Sequence, residues 1–304
     1  MSEAFHVYDE RFRSMLLFNA AIETIATGCR WAEGPVWFGE QNCLLWSDIP
    51  NDRMMRWTTN GTVDVYRTPA RHTNGHTRDR QGRLVSCEHG GRCVSRTEYD
   101  GTVTILVDRF EGKRLNSPND VVVKSDGTIW FTDPDYGIWS DYEGHRAESE
   151  IGACNVYRFD PASGALGVVA SDYERPNGLA FSPDEQKLYI ADTGITHRAD
   201  GPHHIRVHDV IDGARLGPGK VFAEIANGFA DGFRLDEHGN VWSSCGTANG
   251  VAVFAPDGTP LGKIDLPEAT SNLVFGGPNR NRLFMTATSS VYSLYVAVRG
   301  NKTV

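Results

Sequence analysis

Six short segments of this chain open with a side chain that offers oxygen to a cation. They are Glu33 (EGPVWF), Asn74 (NGHTRD), Asn119 (NDVVVK), Asn177 (NGLAFS), Asp231 (DGFRLD) and Asn272 (NLVFGG). Asn and Asp favour turns at strand starts, above all before Gly, as in Asn74-Gly75, Asn177-Gly178 and Asp231-Gly232. That preference leaves Glu33 unexplained, because Glu is not a turn former. It also leaves unexplained why no segment opens with Ser, Lys or an apolar residue. Two carboxylates and four amides gathered in a narrow space would repel or stay unsatisfied without a cation. Hard oxygen donors in this mixture suit Ca²⁺ foremost, then Mg²⁺ or Mn²⁺, and Zn²⁺ where water completes its shell. The pattern therefore predicts one divalent cation, provided the fold brings the six openings together.

What would bring them together is a repeat. Each opening starts an apolar run, followed by a turn (GEQN, DRQG, KSDG, SPDEQK, DEHG, GPNRNR) and a second apolar run. From opening to the centre of the second run (Leu45, Val85, Trp130, Tyr189, Trp242, Phe284) the count is 12, 11, 11, 12, 11 and 12 residues. The openings themselves lie 41, 45, 58, 54 and 41 apart, so a constant hairpin carries a variable outer half. Short strands repeating every 40–50 residues or so read as propeller blades, one four-stranded sheet per repeat. The expected fold is all-β, a six-bladed β-propeller in one domain over residues 22–304. Its last blade runs out of chain after VYSLYVAV and is closed by the N-terminal strand Ile22–Thr27, which removes two exposed sheet edges. Residues 1–21 lie outside the repeat. Phe5, Phe12, Leu16 and Leu17 predict a short helix or arm packed on the rim.

Composition narrows the function. A net charge of −9 without a dense Lys/Arg run repels phosphate backbones and argues against nucleic acid as a partner. No stretch approaches the roughly 18 apolar residues of a membrane span, and the N-terminus lacks the apolar region of a signal peptide. The six cysteines have neither zinc-site spacing nor the density of a disulfide framework. A soluble cytoplasmic protein follows. The pattern leaves the oligomeric state open.

At EGPVW, SPNDVVVKSDGTIWFTDP, PNGLAFSPD and DGFRLDEHGNVW the chain resembles the gluconolactonase and regucalcin (senescence marker protein) family. NGHTRDRQGRLVSCEHGGR resembles its bacterial gluconolactonase branch. The resemblance runs from about Ile22 to Val298. It implies a six-bladed propeller holding one catalytic divalent cation on its axis and hydrolysing a small sugar lactone of the glucono-1,5-lactone type. It implies Glu33, Asn177 and Asp231 as ligands, Asn119 beside the metal or substrate, and Asp231 as general acid/base. One departure stands out: where the regucalcins carry a substrate-binding Arg, this chain has Ser117. Two other readings use the same site. One is a calcium-binding or interaction propeller without catalysis, the other an aryl-esterase or organophosphatase.

Lactone cleavage by water passes through a tetrahedral oxyanion that a cation can stabilise, with a base for the water proton and an acid for the ring oxygen. Asn74, His76, Asn119, Tyr136 and Asn272 are the expected substrate contacts. His76, two residues after Asn74 and on the same strand face, is either a proton shuttle or a satisfied core histidine. Tyr136 belongs to an insertion, residues 135–150, whose aromatics could stack on a sugar. Asp48, Glu88, Asp133 and Asp192, ending four of the second strands, are expected at the far end of the channel in structural roles. No GxSxG motif is present, which argues against a serine nucleophile.

Overall fold

A computed structural model describes residues 4–302. Residues 1–3 of the expected arm, and 303–304, lie outside the described residues. Six antiparallel sheets follow one another along the chain. The first comprises Ala32–Phe38, Cys43–Asp48, Arg53–Thr58 and Val63–Arg67. The second comprises Thr73–Arg78, Leu84–Glu88, Cys93–Thr97 and Val103–Val107, the third Val121–Val123, Ile129–Asp133, Asn155–Asp160 and Ala165–Ala170. The fourth is built mainly from Pro176–Phe181, Lys187–Asp192, His204–Ile211 and Lys220–Glu224. The fifth has Phe233–Leu235, Val241–Ser244, Val251–Phe254 and Pro260–Ile264, the sixth Thr270–Gly276, Arg282–Ala287 and Ser290–Tyr295. The first strand of each sheet packs against the first strand of the next, and the sixth returns to the first. That closed circle of inner strands is the six-bladed propeller.

The hairpin turns of the second, third and fifth blades are held by their own Asp side chains, which accept a backbone N–H two residues on. Asp79 takes Gln81 N at 3.0 Å, Asp126 takes Thr128 N at 2.9 Å and Asp236 takes His238 N at 2.9 Å. Between the turns, the centres of the second strands fill the space between blades: Val85, Trp130, Trp242 and Phe284 are all fully buried. Such runs, hydrophobic on both faces, form strands rather than amphipathic helices because each sheet is sandwiched between two others.

The sixth blade is completed by Glu23–Thr27, which pairs antiparallel with Ser290–Tyr295. The preceding residues extend the fifth blade instead. Phe5–Val7 adds a strand beside Pro260–Ile264, and the short helix Arg11–Met15 drives Phe12 into the core against Trp242, with ring centroids 6.2 Å apart. Leu16 packs on the same cluster, whereas Leu17 faces solvent. Phe12 is fully buried. We expect Phe12→Ala to cost about 3–5 kcal/mol, the usual toll for emptying a buried aromatic site, read as a lowered urea midpoint with an unchanged slope.

Among the described residues no helix is long and apolar enough to cross a membrane, and all six cysteines are free.

Candidate active site

All six opening side chains are buried on the axis: Glu33, Asn74, Asn119, Asn177, Asp231 and Asn272. In the first, second and fourth blades a bulge in the inner strand aims the opening. In the first blade Glu33 pairs with Ser47 and Val36 with Leu45, so three steps face two; the second and fourth blades do the same, between Thr73 and His76 and between Pro176 and Leu179. An extra residue of this kind turns a side chain out of the pleat, here toward the axis.

The residue after the opening then decides how closely blades approach. Gly75 N–H donates to Asn119 O (2.8 Å), Gly178 to Asp231 O (3.1 Å) and Gly232 to Ser271 O (2.7 Å). A Cβ at Gly178 would stand 2.2 Å from Asp231 O. The Gly after these openings is thus demanded by blade contact and not only by a turn. Gly178→Ala must push the Asp231 backbone aside; we expect kcat to fall about 100-fold, the cost of a misplacement near 1 Å, with the β-sheet circular dichroism retained.

Direct bonds tie the openings to one another. Asn272 Nδ2 donates to Glu33 Oε2 (3.0 Å), which also accepts from Gly34 N, and the Asn177 amide favours the charged form of the Asp231 carboxylate. Burial, reinforced by Asp120, raises the Glu33 carboxyl to about 8, against the pull of Asn272, the Gly34 N–H and Arg234. Asp231 is raised well above the usual carboxylate range by burial, then by Glu33, Glu143 and Asp120. Two acids so placed cannot both ionise comfortably at neutral pH without positive charge beside them.

The amides are oriented by their nitrogens. His89, fully buried and lowered to about 4 by that burial, is neutral. Its Nδ1–H donates to Glu143 O (3.1 Å), so Nε2 accepts from Asn74 Nδ2 at 3.2 Å. Asn177 Nδ2 donates to Thr193 Oγ1 (3.1 Å). Both leave their oxygen as the free end, and the Asn119 amide bonds to no described residue. Asn272 differs: its Oδ1 accepts Leu273 N (2.8 Å) while its Nδ2 holds Glu33, so it acts as a positioning residue.

The insertion after the third blade's second strand arches over this group. Ser117 Oγ donates to Pro134 O (2.7 Å) and accepts from Gly137 N (2.9 Å), anchoring the helix Tyr136–Trp139. Ser117 is therefore consumed in holding the insertion. Tyr136 is half-buried, with its hydroxyl on Thr193 Oγ1 (3.0 Å) and Thr196 Oγ1 (3.1 Å); burial and, among the charges, Asp231 push its phenol up. Glu143, farther along the same insertion, is raised by burial to about 7. His76 lies elsewhere. It is buried between Ser47 Oγ (2.8 Å from Nε2) and Ser86 Oγ (2.9 Å from Nδ1), and burial lowers it to about 3. Both ring nitrogens are satisfied by the blades.

One expectation is corrected. Asp48 and Glu88 pair with Ala32 and Thr73, and Asp192 with Pro176, so the second-strand carboxylates sit at the same end as the openings. In an antiparallel hairpin the end of one strand flanks the start of the other. Their role is structural as expected: Asp48 takes Arg30 N (2.9 Å), Asp133 takes Asn116 N and Ser117 N (2.9 and 2.8 Å) and Asp192 takes Arg175 N (2.9 Å).

The profile of the SMP-30/gluconolactonase/LRE-like region matches residues 31–289. This chain belongs to that family. A gluconolactonase of Zymomonas mobilis is 31% identical over 306 residues, covering 93% of this chain and 83% of its own. A pentonolactonase of Haloferax volcanii is 29% identical, over 86% and 83%. Among solved structures, a gluconolactonase from Xanthomonas campestris aligns with a TM-score of 0.90 at 40% identity, over 97% of this chain and 95% of its own. A calcium-binding regucalcin from Agrobacterium tumefaciens, TM-score 0.75 at 19% identity over 92% and 95%, shares the fold.

For this member of the gluconolactonase family the donors on the axis fit a divalent cation. Glu33 and Asp231 supply two buried carboxylates whose mutual repulsion asks for a double positive charge. Asn119 and Asn177 can turn amide oxygens to it. Sequence reasoning missed His89, Asp120, Glu143, Thr193 and Arg234. Asp120 was open to detection, since it stands where four other blades carry Gly.

Proposed function

We propose that the chain hydrolyses sugar lactones of the glucono-1,5-lactone type at this axial site, with one divalent cation, Ca²⁺ foremost, held by Glu33, Asn119, Asn177 and Asp231. As a gluconolactonase-like lactone hydrolase it is an enzyme, and the lactonases among its relatives support that class. The observation that carries the reading is the pair of buried, mutually destabilised carboxylates Glu33 and Asp231, beside amides whose nitrogens are tied back to the protein.

When bound, the cation supplies charge to polarise the lactone carbonyl and stabilise the oxyanion of the tetrahedral intermediate. Asp231 takes the proton from the attacking water and returns it to the ring oxygen as the C–O bond breaks, leaving an aldonic acid. The Asn177 NH₂ steadies that carboxylate, and the Ser244 hydroxyl holds its backbone N–H at 3.2 Å. Asn74 and Asn119 contact the sugar hydroxyls, and Tyr136 forms part of the wall. Six free thiols fit the reducing cytoplasm as its compartment.

The test is hydrolysis of glucono-1,5-lactone followed by proton release, with and without EDTA. We expect chelation to abolish turnover and added Ca²⁺ or another divalent ion to restore it. Full activity in EDTA would remove the cation from the reaction.

A further inference from the structure

Stacking the six blades exposes two exceptions that belong together. The residue one past each opening is Gly34, Gly75, Asp120, Gly178, Gly232 or Leu273. Only the third blade puts a charge there. Three past each opening stand Val36, Thr77, Val122, Ala180, Arg234 and Phe275, and all six line one cavity of about 150 Å³ in the far half of the channel. Only the fifth blade puts a charge there. The two exceptions meet: Arg234 Nη1 lies 3.4 Å from Asp120 Oδ2, with side-chain exposures of 12% and 2%.

Asp120 is clamped from several blades. Its Oδ1 accepts Val121 N (2.9 Å), and a Cβ on Gly75 would come within 2.7 Å of that oxygen; its Oδ2 is approached by Leu179 N at 3.4 Å. Arg234 is fixed by a 2.7 Å bond to Phe233 O. An arginine among Val36, Val122 and Ala180 would carry an uncompensated charge without that partner. The pair joins the residue after Asn119 to the third residue after Asp231, and both members act on the axial group electrostatically. Asp120 raises Glu33 and Asp231, while Arg234 opposes it at Glu33.

We propose that the Asp120–Arg234 pair sets the formal charge of the axial site at −2, so that the site prefers a divalent to a trivalent cation. This rests on the cation-binding reading above. Glu33 and Asp231 contribute two negative charges, and the pair cancels itself. Removing Arg234 leaves three, removing Asp120 leaves one, and removing both restores two.

The experiment is isothermal titration of wild type, Arg234→Met, Asp120→Asn and the double variant with Ca²⁺ and with La³⁺, all at one pH near 8, where Glu33 gives up its proton readily and the Glu143 charge is common to all four proteins. One unit charge at several ångströms in a partly polar interior is worth about tenfold in affinity per ligand charge. We expect Arg234→Met to shift the La³⁺/Ca²⁺ affinity ratio about tenfold toward La³⁺. Asp120→Asn should shift it about tenfold the other way and weaken Ca²⁺. The double variant should return to within about threefold of wild type, a rescue that mere structural damage would not produce. Because it leaves no unpaired buried charge, comparing it with Asp120→Asn carries the test if Arg234→Met folds poorly. An unchanged ratio in the single variants, or no return in the double variant, overturns the inference. Failure of the wild type to bind either ion overturns the cation reading itself.

Discussion

Asp231→Asn lowers kcat/KM for glucono-1,5-lactone about 1,000-fold while the melting temperature of the chelated protein holds or rises. Both halves follow from the same burial. Loss of a positioned acid/base costs on the order of 10²–10⁴ in rate, and an amide can neither take the water proton nor return it to the ring oxygen. Yet the Asp231 carboxyl is raised by burial and by Glu33, so the folded chain bears a cost for it that the unfolded chain does not. Asn is nearly isosteric, keeps an oxygen for the Asn177 NH₂ and removes that cost. Initial rates and thermal melts in EDTA on one preparation check both. Residual turnover above about a tenth of wild type would take Asp231 out of the proton transfer, and a lower melting temperature would mean that the carboxylate helps to hold the fold.

The second large effect is in stability against pH. Glu33 titrates near 8 in the folded chain and near its ordinary value of 4.5 when unfolded. The folded state thus keeps a proton that the unfolded state releases as pH rises through this window. Stability is fully present below about 4.5 and is lost progressively up to about 8. Asp231 acts in the same direction. A bound divalent cation replaces the proton and abolishes this loss. The melting temperature gained on adding Ca²⁺ to chelated protein should therefore be small at pH 5.5 and larger by about 5 °C or more at pH 8, the equivalent of a few kcal/mol. Asp133 and Glu143, both raised to about 7, tilt the two curves alike, so only the gap between them reports the axial pair. Parallel curves across this range would mean that the cation does not relieve Glu33 and Asp231.

The blade count and the closing strand were readable in the sequence because each hairpin is a local object. Eleven or twelve residues from opening to strand centre leave one register, and that register placed Glu33, Asn177 and Asp231 in equivalent positions. What escaped depends on neighbours far along the chain. His76 and Asn74 share a strand two residues apart, yet the bulge between Thr73 and His76 sends the imidazole to Ser47 and Ser86 instead of the mouth. Asn272 looks like a substrate contact until Leu273 N and Glu33 are seen to occupy both ends of its amide. The second-strand carboxylates were misplaced by a sign in the hairpin geometry and not by any missing information. His89 and Glu143 meet only because the insertion folds back over the second blade, and no short-range pattern records that.

The seam between Glu23–Thr27 and Ser290–Tyr295 joins residues such as Glu23 and Ser293, 270 positions apart. Synthesis runs from the N-terminus at about 5–20 residues per second. Glu23–Thr27 therefore waits many seconds for its mate. Until then the nascent protein is an unsealed crescent with a bare β-edge at each tip, the geometry that invites pairing with the wrong chain. Sealing is thus among the last events of its biogenesis, and the Glu33–Asn272 bond, which spans the same junction, ties completion of the active centre to that moment.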